Sequence, residues 1–225
     1  MNKPYIVCHM ISSLDGRIDC AMTEKLKGVD EYYQTLKELN TPTILSGKIT
    51  AELEMADNGY FNPKSNDTLN SENFSKKVST NGYNVVVDTQ GSLLWNKNTI
   101  NDKPLLIVTS EQVNIEYLTY LDEKDISWIA CGKKSINLNR ACDIMVKEFG
   151  IERMAIVGGG HINAGFLEAN LLDEVSLLIG AGIDGREGMA SVFDGLSSES
   201  EPVALHLINV NTYKDDAVWL RYKVM

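Results

Sequence analysis

Three consecutive glycines, Gly158, Gly159 and Gly160, stand between the apolar run MAIV (154–157) and a helix-like segment. Glycine favours neither a strand nor a helix, so the bare backbone answers to another need. A strand, then glycines, then a helix aims backbone N–H groups at an anion, helped by the charge of the helix N-terminus. Alone, the pattern serves phosphate binding and tight helix-to-strand packing equally well. It is not the dinucleotide fingerprint G-x-G-x-x-G, whose third glycine would fall on Asn163. A second stretch, TILSGKITAE (43–52), sets Gly47, Lys48 and Thr50 between a short strand and a short helix. It offers amides, a cation and a hydroxyl at one turn; the bland alternative for Lys48 is a solvated first-turn residue. Two such turns suit an extended ligand with several phosphates. A third stretch, MISSLDGRI (10–18), runs a strand into Ser12, Ser13 and the turn pair Asp15-Gly16. Loops at the carboxyl ends of strands are where α/β sheets hold ligands. Asp15 either caps local backbone there or faces a ligand and relays a proton. His161 is either a phosphate donor or a surface residue, and Asp173 and Glu174 read as polar punctuation between a helix and a strand.

These stretches need a scaffold, and the hydrophobic pattern supplies one. Strands are expected at 5–11, 43–45, 84–88, 105–109, 127–130, 153–157, 174–180, 203–212 and 216–224. Helices are expected at 30–39, 48–56, 112–121, 137–149 and 161–169. Alternating strands and helices predict an α/β layer with a mostly parallel sheet. The helix-free end predicts antiparallel strands added at one edge. Residues 57–82 are rich in Asn, Ser and Lys and carry little periodicity. They read as a surface excursion or a lid, dispensable for folding, within a single domain spanning 1–225.

The chain of 225 residues carries 21 Lys plus Arg against 31 Asp plus Glu, for a formal charge of −10. That balance disfavours nucleic acid and anionic membrane as partners. No apolar run approaches the roughly 20 residues of a membrane span, and the opening reads as a strand rather than a secretory segment. Cys8, Cys20, Cys131 and Cys142 lack metal-ligand spacing and read as small core residues of a cytoplasmic protein. His9, His161 and His206 are scattered, so no metal site is expected.

The three stretches, with VVVDTQGSL (85–93), resemble the reductase domain of bacterial riboflavin biosynthesis. SSLDGRI (12–18) is similar to that family's S-L-D-G-x-I opening, and ILSGKIT (44–50) to its I-L-x-G-x-x-T element. VVVDTQGSL is similar to V-V-D-S-x-G-x-L, and VGGGHINAGFLEANLLDEVSLLI (157–179) to E-G-G-x-x-L…L-x-D-E. The resemblance covers nearly the whole chain. It implies a three-layer dihydrofolate-reductase-like fold: a central, mostly parallel sheet with antiparallel C-terminal strands and helices on both faces. It implies an NADPH-dependent reductase acting on a small pyrimidine-like substrate, and a homodimer joined through the strands after 203. Gly158, Gly159, Gly160, His161 and Ile162 would then hold the cofactor pyrophosphate. Gly47, Lys48, Thr50 and Thr89 would surround the adenosine and its 2′-phosphate. Ser12, Ser13 and Asp15 would lie beside nicotinamide and substrate, with Asp15 catalytic. Val157 would face the substrate where the family has a glutamate, and Gln90 follows Thr89 where a basic residue is often seen. No H-x-E…P-C-x-x-C deaminase signature occurs in these residues. Two other readings remain: a reductase of another small carbonyl or pteridine-like compound, and a nucleotide-binding protein without catalysis.

Overall fold

The computed structural model describes residues 2–225. Among the described residues, thirteen strands and six helices follow one another. The first are β1 (Tyr5–Ser12), α1 (Cys20–Thr23), α2 (Val29–Glu38), β2 (Thr43–Gly47), α3 (Lys48–Glu54), β3 (Asp57–Tyr60) and β4 (Asn73–Ser75). Then come β5 (Asn84–Val87), β6 (Leu93–Leu94), β7 (Thr99–Ile100), β8 (Lys103–Thr109), α4 (Ile115–Glu123), β9 (Ser127–Ala130) and α5 (Leu138–Phe149). β10 (Arg153–Gly158), α6 (Gly160–Glu168), β11 (Glu174–Ile179), β12 (Leu205–Thr212) and β13 (Val218–Val224) complete the series. They form two compact units. The inserted unit is Pro42–Glu152 with the stub before Tyr5, and the flanking unit is Tyr5–Thr41 with Arg153–Met225.

In the flanking unit the strand order is β12-β13-β11-β1-β10. β1 runs parallel to both β10 and β11, while β13 is antiparallel to β11 and β12. The expected antiparallel C-terminal strands are therefore present. In the inserted unit the order is β2-β5-β8-β9-β4, parallel throughout except for β4. Every residue of β5 is buried, as are the last five of β8. Strands covered on both faces read as unbroken apolar runs, which is how VVV and LLIV appear in the sequence. Both units thus have the mixed α/β architecture that the pattern predicts, with mainly parallel strands in the inserted unit and two parallel and two antiparallel pairings in the flanking one.

Helix limits follow from caps. α4 starts at Ile115 rather than 112, because the Asn114 side chain accepts from the Glu116 N–H and sets the first turn there. α5 is opened by Asn137, which accepts from the Arg140 N–H, and closed by Gly150 at φ 69°. Among the described residues no helix is long and apolar enough to cross a membrane, and no group of three His, Cys, Asp or Glu is placed to hold a metal ion. Cys8, Cys131 and Cys142 are buried free thiols, and Cys20 is half-buried.

Residues 57–82 are the main departure from the sequence reading, since they carry two strands. β3 pairs with β6, and β4 lies antiparallel on β9 with Phe74 opposite Ile129. Little periodicity was visible because each strand is too short to repeat a pattern, at four and three residues. Half-buried Phe61 packs edge-on against Tyr117 at 5.2 Å, on the side of a buried cluster that includes Tyr117, Trp95, Leu121 and Trp128. Glu116 accepts from the Lys64 and Ser65 amides at 2.7 and 3.1 Å. Arg140 grips both oxygens of Glu72, at 2.9 and 2.7 Å.

Candidate functional site

In the flanking unit, parallel pairing of β1 with β10 and β11 puts the carboxyl ends of three strands on one edge. The loop after β1 is held from within and from outside. Ser13 Oγ donates to Asp15 Oδ1 at 2.6 Å and accepts from the Arg17 N–H at 3.1 Å. Asp15 in turn accepts from the Asp184 and Gly185 amides at 3.0 and 2.9 Å. The Ser13 hydroxyl first, and then these two amides, hold the Asp15 carboxyl well below the usual carboxylate range. The exposed Asp15 carboxylate is thus engaged as an acceptor that fastens loop to loop.

The partner in this fastening is a stretch the sequence reading left without a role, residues 180–195. Leu14 N–H donates to the Gly182 carbonyl, Ile18 N–H to Ala190, and Val192 N–H to Gly16. Arg17 Nη1 donates to the Met189 carbonyl at 2.7 Å. Farther on, the Asp194 N–H donates to the Gly160 carbonyl and Asn163 Nδ2 to the Val192 carbonyl. One strap therefore ties the 12–18 loop to the glycine turn. Five glycines in it, from Gly180 to Gly195, were the available signal.

The glycine turn divides its two duties between neighbours. A Cβ on Gly160 would fall 2.3 Å from the Ser191 carbonyl oxygen, so its bareness serves close packing of α6 against the strap. Gly159 has φ +100°, and a Cβ there would meet nothing nearer than the Ile162 side chain at 3.7 Å. Its requirement is the backbone conformation, since a Cβ there would make only ordinary van der Waals contact. Gly158 ends β10, Val157 is half-buried within it, and His161 is exposed on α6 with Ile162 half-buried after it. The N–H groups of the first turn of α6 have no acceptor within the helix; the first bond is Asn163 N–H to the Gly159 carbonyl.

In the inserted unit a second group forms at the ends of β2 and β5. Gly47 caps α3 in an extended conformation and Thr50 is buried in its first turn. Lys48 Nζ donates to Ser92 Oγ at 2.7 Å and lies over the Tyr60 ring, 5.0 Å from its centre. Asp88, fully buried after β5, accepts from the Ser92 and Leu93 amides at 2.6 and 2.9 Å. The Thr89 carbonyl accepts from Thr109 Oγ1 and Ser110 Oγ, both at 3.0 Å, which ties its loop to the end of β8. Asp88 and Ser92 lie in the VVVDTQGSL motif beside Thr89, and the motif itself is the signal that points to them.

Two features fit a dinucleotide. Ser12 Oγ and Asn163 Oδ1, both on side chains at most 1% exposed, have no protein partner, and buried polar atoms rarely go unpaired. At Gly159 a group the size of a Cβ would make only ordinary van der Waals contact with the Ile162 side chain, so a phosphate oxygen can approach the bare backbone without a clash. Asp173 and Glu174 lie elsewhere and are structural, as read. Asp173 Oδ2 accepts from the Ile6 amide, and buried Glu174 accepts from Tyr5 and Arg221.

Comparison with known proteins identifies the family and the fold. A family model described as RibD C-terminal domain matches residues 4–219. The chain is 23% identical over 198 residues to the 2,5-diamino-6-ribosylamino-4(3H)-pyrimidinone 5′-phosphate reductase of Archaeoglobus fulgidus, covering 87% of this chain and 88% of that protein. It is 24% identical over 221 residues to the protein of the same name from Methanothermobacter thermautotrophicus, covering 96% of each. A solved pyrimidine reductase-like protein of Corynebacterium diphtheriae shares the fold, with a TM-score of 0.72 at 15% identity over 99% of this chain and 92% of that one.

Proposed function

The chain belongs to the RibD C-terminal domain family, and on that premise we propose that it is an NADPH-dependent reductase of riboflavin biosynthesis. Its substrate class is the ribosylaminopyrimidinone 5′-phosphate in the names of its relatives. The observation that carries this reading is the gathering, at the carboxyl ends of β1 and β10, of the two motifs tied by the 180–195 strap.

Bound NADPH supplies the hydride, and the chain supplies position and electrostatics. The α6 first turn and the space at Gly159 receive the pyrophosphate, with Gly158, Gly160, His161 and Ile162 shaping the turn. Ser12 Oγ offers its unpaired hydroxyl on the same edge. Lys48, beside Gly47, Thr50 and Thr89, meets the 2′-phosphate. Ser13 and Asp15 spend their side chains on the loop itself. Asp15 therefore acts on the reaction by holding that loop and the strap together rather than by carrying a proton. Val157 gives the substrate an apolar contact, and this favours, as a second reading, a different small carbonyl or pteridine-like substrate on the same cofactor. The molecule works as a homodimer in the cytoplasm, joined through β12.

The test is oxidation of NADPH and of NADH by the purified protein, across ribosylaminopyrimidine phosphates, pteridines and simple carbonyls. Turnover is expected with NADPH and a ribosylaminopyrimidine phosphate. Turnover with another compound alone selects the second reading. Tight NADPH binding without turnover on any of them overturns both.

A further inference from the structure

Lys48 and Glu52 stand four residues apart on α3, the spacing at which a lysine and a glutamate meet on a helix surface. They form no ion pair. Glu52 instead accepts a short hydrogen bond from the Tyr60 hydroxyl, and Lys48 Nζ turns to Ser92 Oγ with the Tyr60 ring beneath it. Tyr60 is carried by β3, whose pairing with β6 sets it opposite Leu93, next to Ser92. The Phe61 N–H fixes the same register by donating to the Ser92 carbonyl at 2.8 Å.

We infer that Tyr60 is a positioning residue: it takes up Glu52 through its hydroxyl and holds Lys48 through its ring, and so reserves the ammonium for a phosphate monoester. The inference rests on the reading above that Lys48 meets the cofactor's 2′-phosphate. An ammonium has three donors, and one is spent on Ser92. A carboxylate closing on the others would compete with the phosphate for the same charge. With the hydroxyl removed, Glu52 is free to do so. The ring itself adds a cation–π contact without neutralising the lysine. This gives part of the 57–82 segment a function: β3 sets cofactor preference from outside the motifs.

The experiment titrates wild type, Tyr60→Phe, Glu52→Gln, the double variant and Lys48→Ala with 2′,5′-ADP and with 5′-AMP, and records a thermal melt of each. Tyr60→Phe is expected to weaken 2′,5′-ADP by about two- to fivefold, the range of an exposed helical ion pair. It should leave 5′-AMP and the melt unchanged. Adding Glu52→Gln is expected to restore 2′,5′-ADP binding, a rescue that a merely structural role for Tyr60 would not give. If Tyr60→Phe binds 2′,5′-ADP as wild type does, or if the double variant stays weak, the inference is wrong. Lys48→Ala separates this from the underlying reading. Equal loss of both nucleotides, or of neither, in that variant shows that Lys48 does not meet the 2′-phosphate.

Discussion

His9 sits fully buried on β1, and its network fixes its protonation state. The Trp219 indole N–H donates to Ser176 Oγ at 2.8 Å, which leaves the Ser176 proton for His9 Nδ1 at 2.9 Å. The neutral ring then donates from Nε2 to the Tyr32 carbonyl at 3.2 Å and stacks on the Tyr32 ring. Burial drives its pKa from 6.5 down to about 4. Between those values the unfolded chain binds the proton and the folded one does not, so stability falls as pH drops through that window. Above pH 6.5 the group contributes no slope. The loss should reach roughly 3 kcal/mol by the lower end. His9→Gln is expected to be less stable at neutral pH but flatter, as read from urea midpoints between pH 4 and 7; an unchanged slope would mean that His9 protonates freely in the fold. None of this was legible in the sequence, because the partners lie 23 and 167 residues away. The glycines were half legible. Their spacing announced a turn, but that Gly160 answers to Ser191 and Gly159 to its own φ depends on the strap.

At the scale of elements, long apolar runs and capped helices were readable because their signals are local. β5, β8, α5 and β10 fall within a residue or two of their expected limits. The strands in 57–82 were not, because their stability is borrowed from partners: β4 from β9, and the stretch around Phe61 from Tyr117 and Tyr120. The expectation that this segment is dispensable for folding is accordingly replaced. Exchanging 57–82 for a short Gly-Ser linker should cost the fold about 3–5 kcal/mol, the range for emptying one large aromatic site in a core. Calorimetry checks this, and an unshifted transition would mean that the aromatic cluster closes without Phe61.

On the scale of the molecule, β12 ends the strand order with Leu205, Leu207, Ile208 and Val210 each 44–47% exposed. An apolar edge strand left in water invites pairing. With β12 joining two copies as proposed above, the wild type is expected to sediment as a dimer and the Leu207→Glu, Val210→Glu double variant as a monomer. Identical behaviour of the two would rule out β12 as the contact between copies. The interleaving of the units also bears on synthesis. β1 is synthesised well before the strands it pairs with, β10 and β11, the first pair being Tyr5 opposite Arg153. At 5–20 residues per second its partners arrive roughly 7–30 s later. Throughout that interval an eight-residue, largely apolar strand waits unpaired on the nascent chain, so the yield of native protein should depend on translation speed and on chaperones that shield β1.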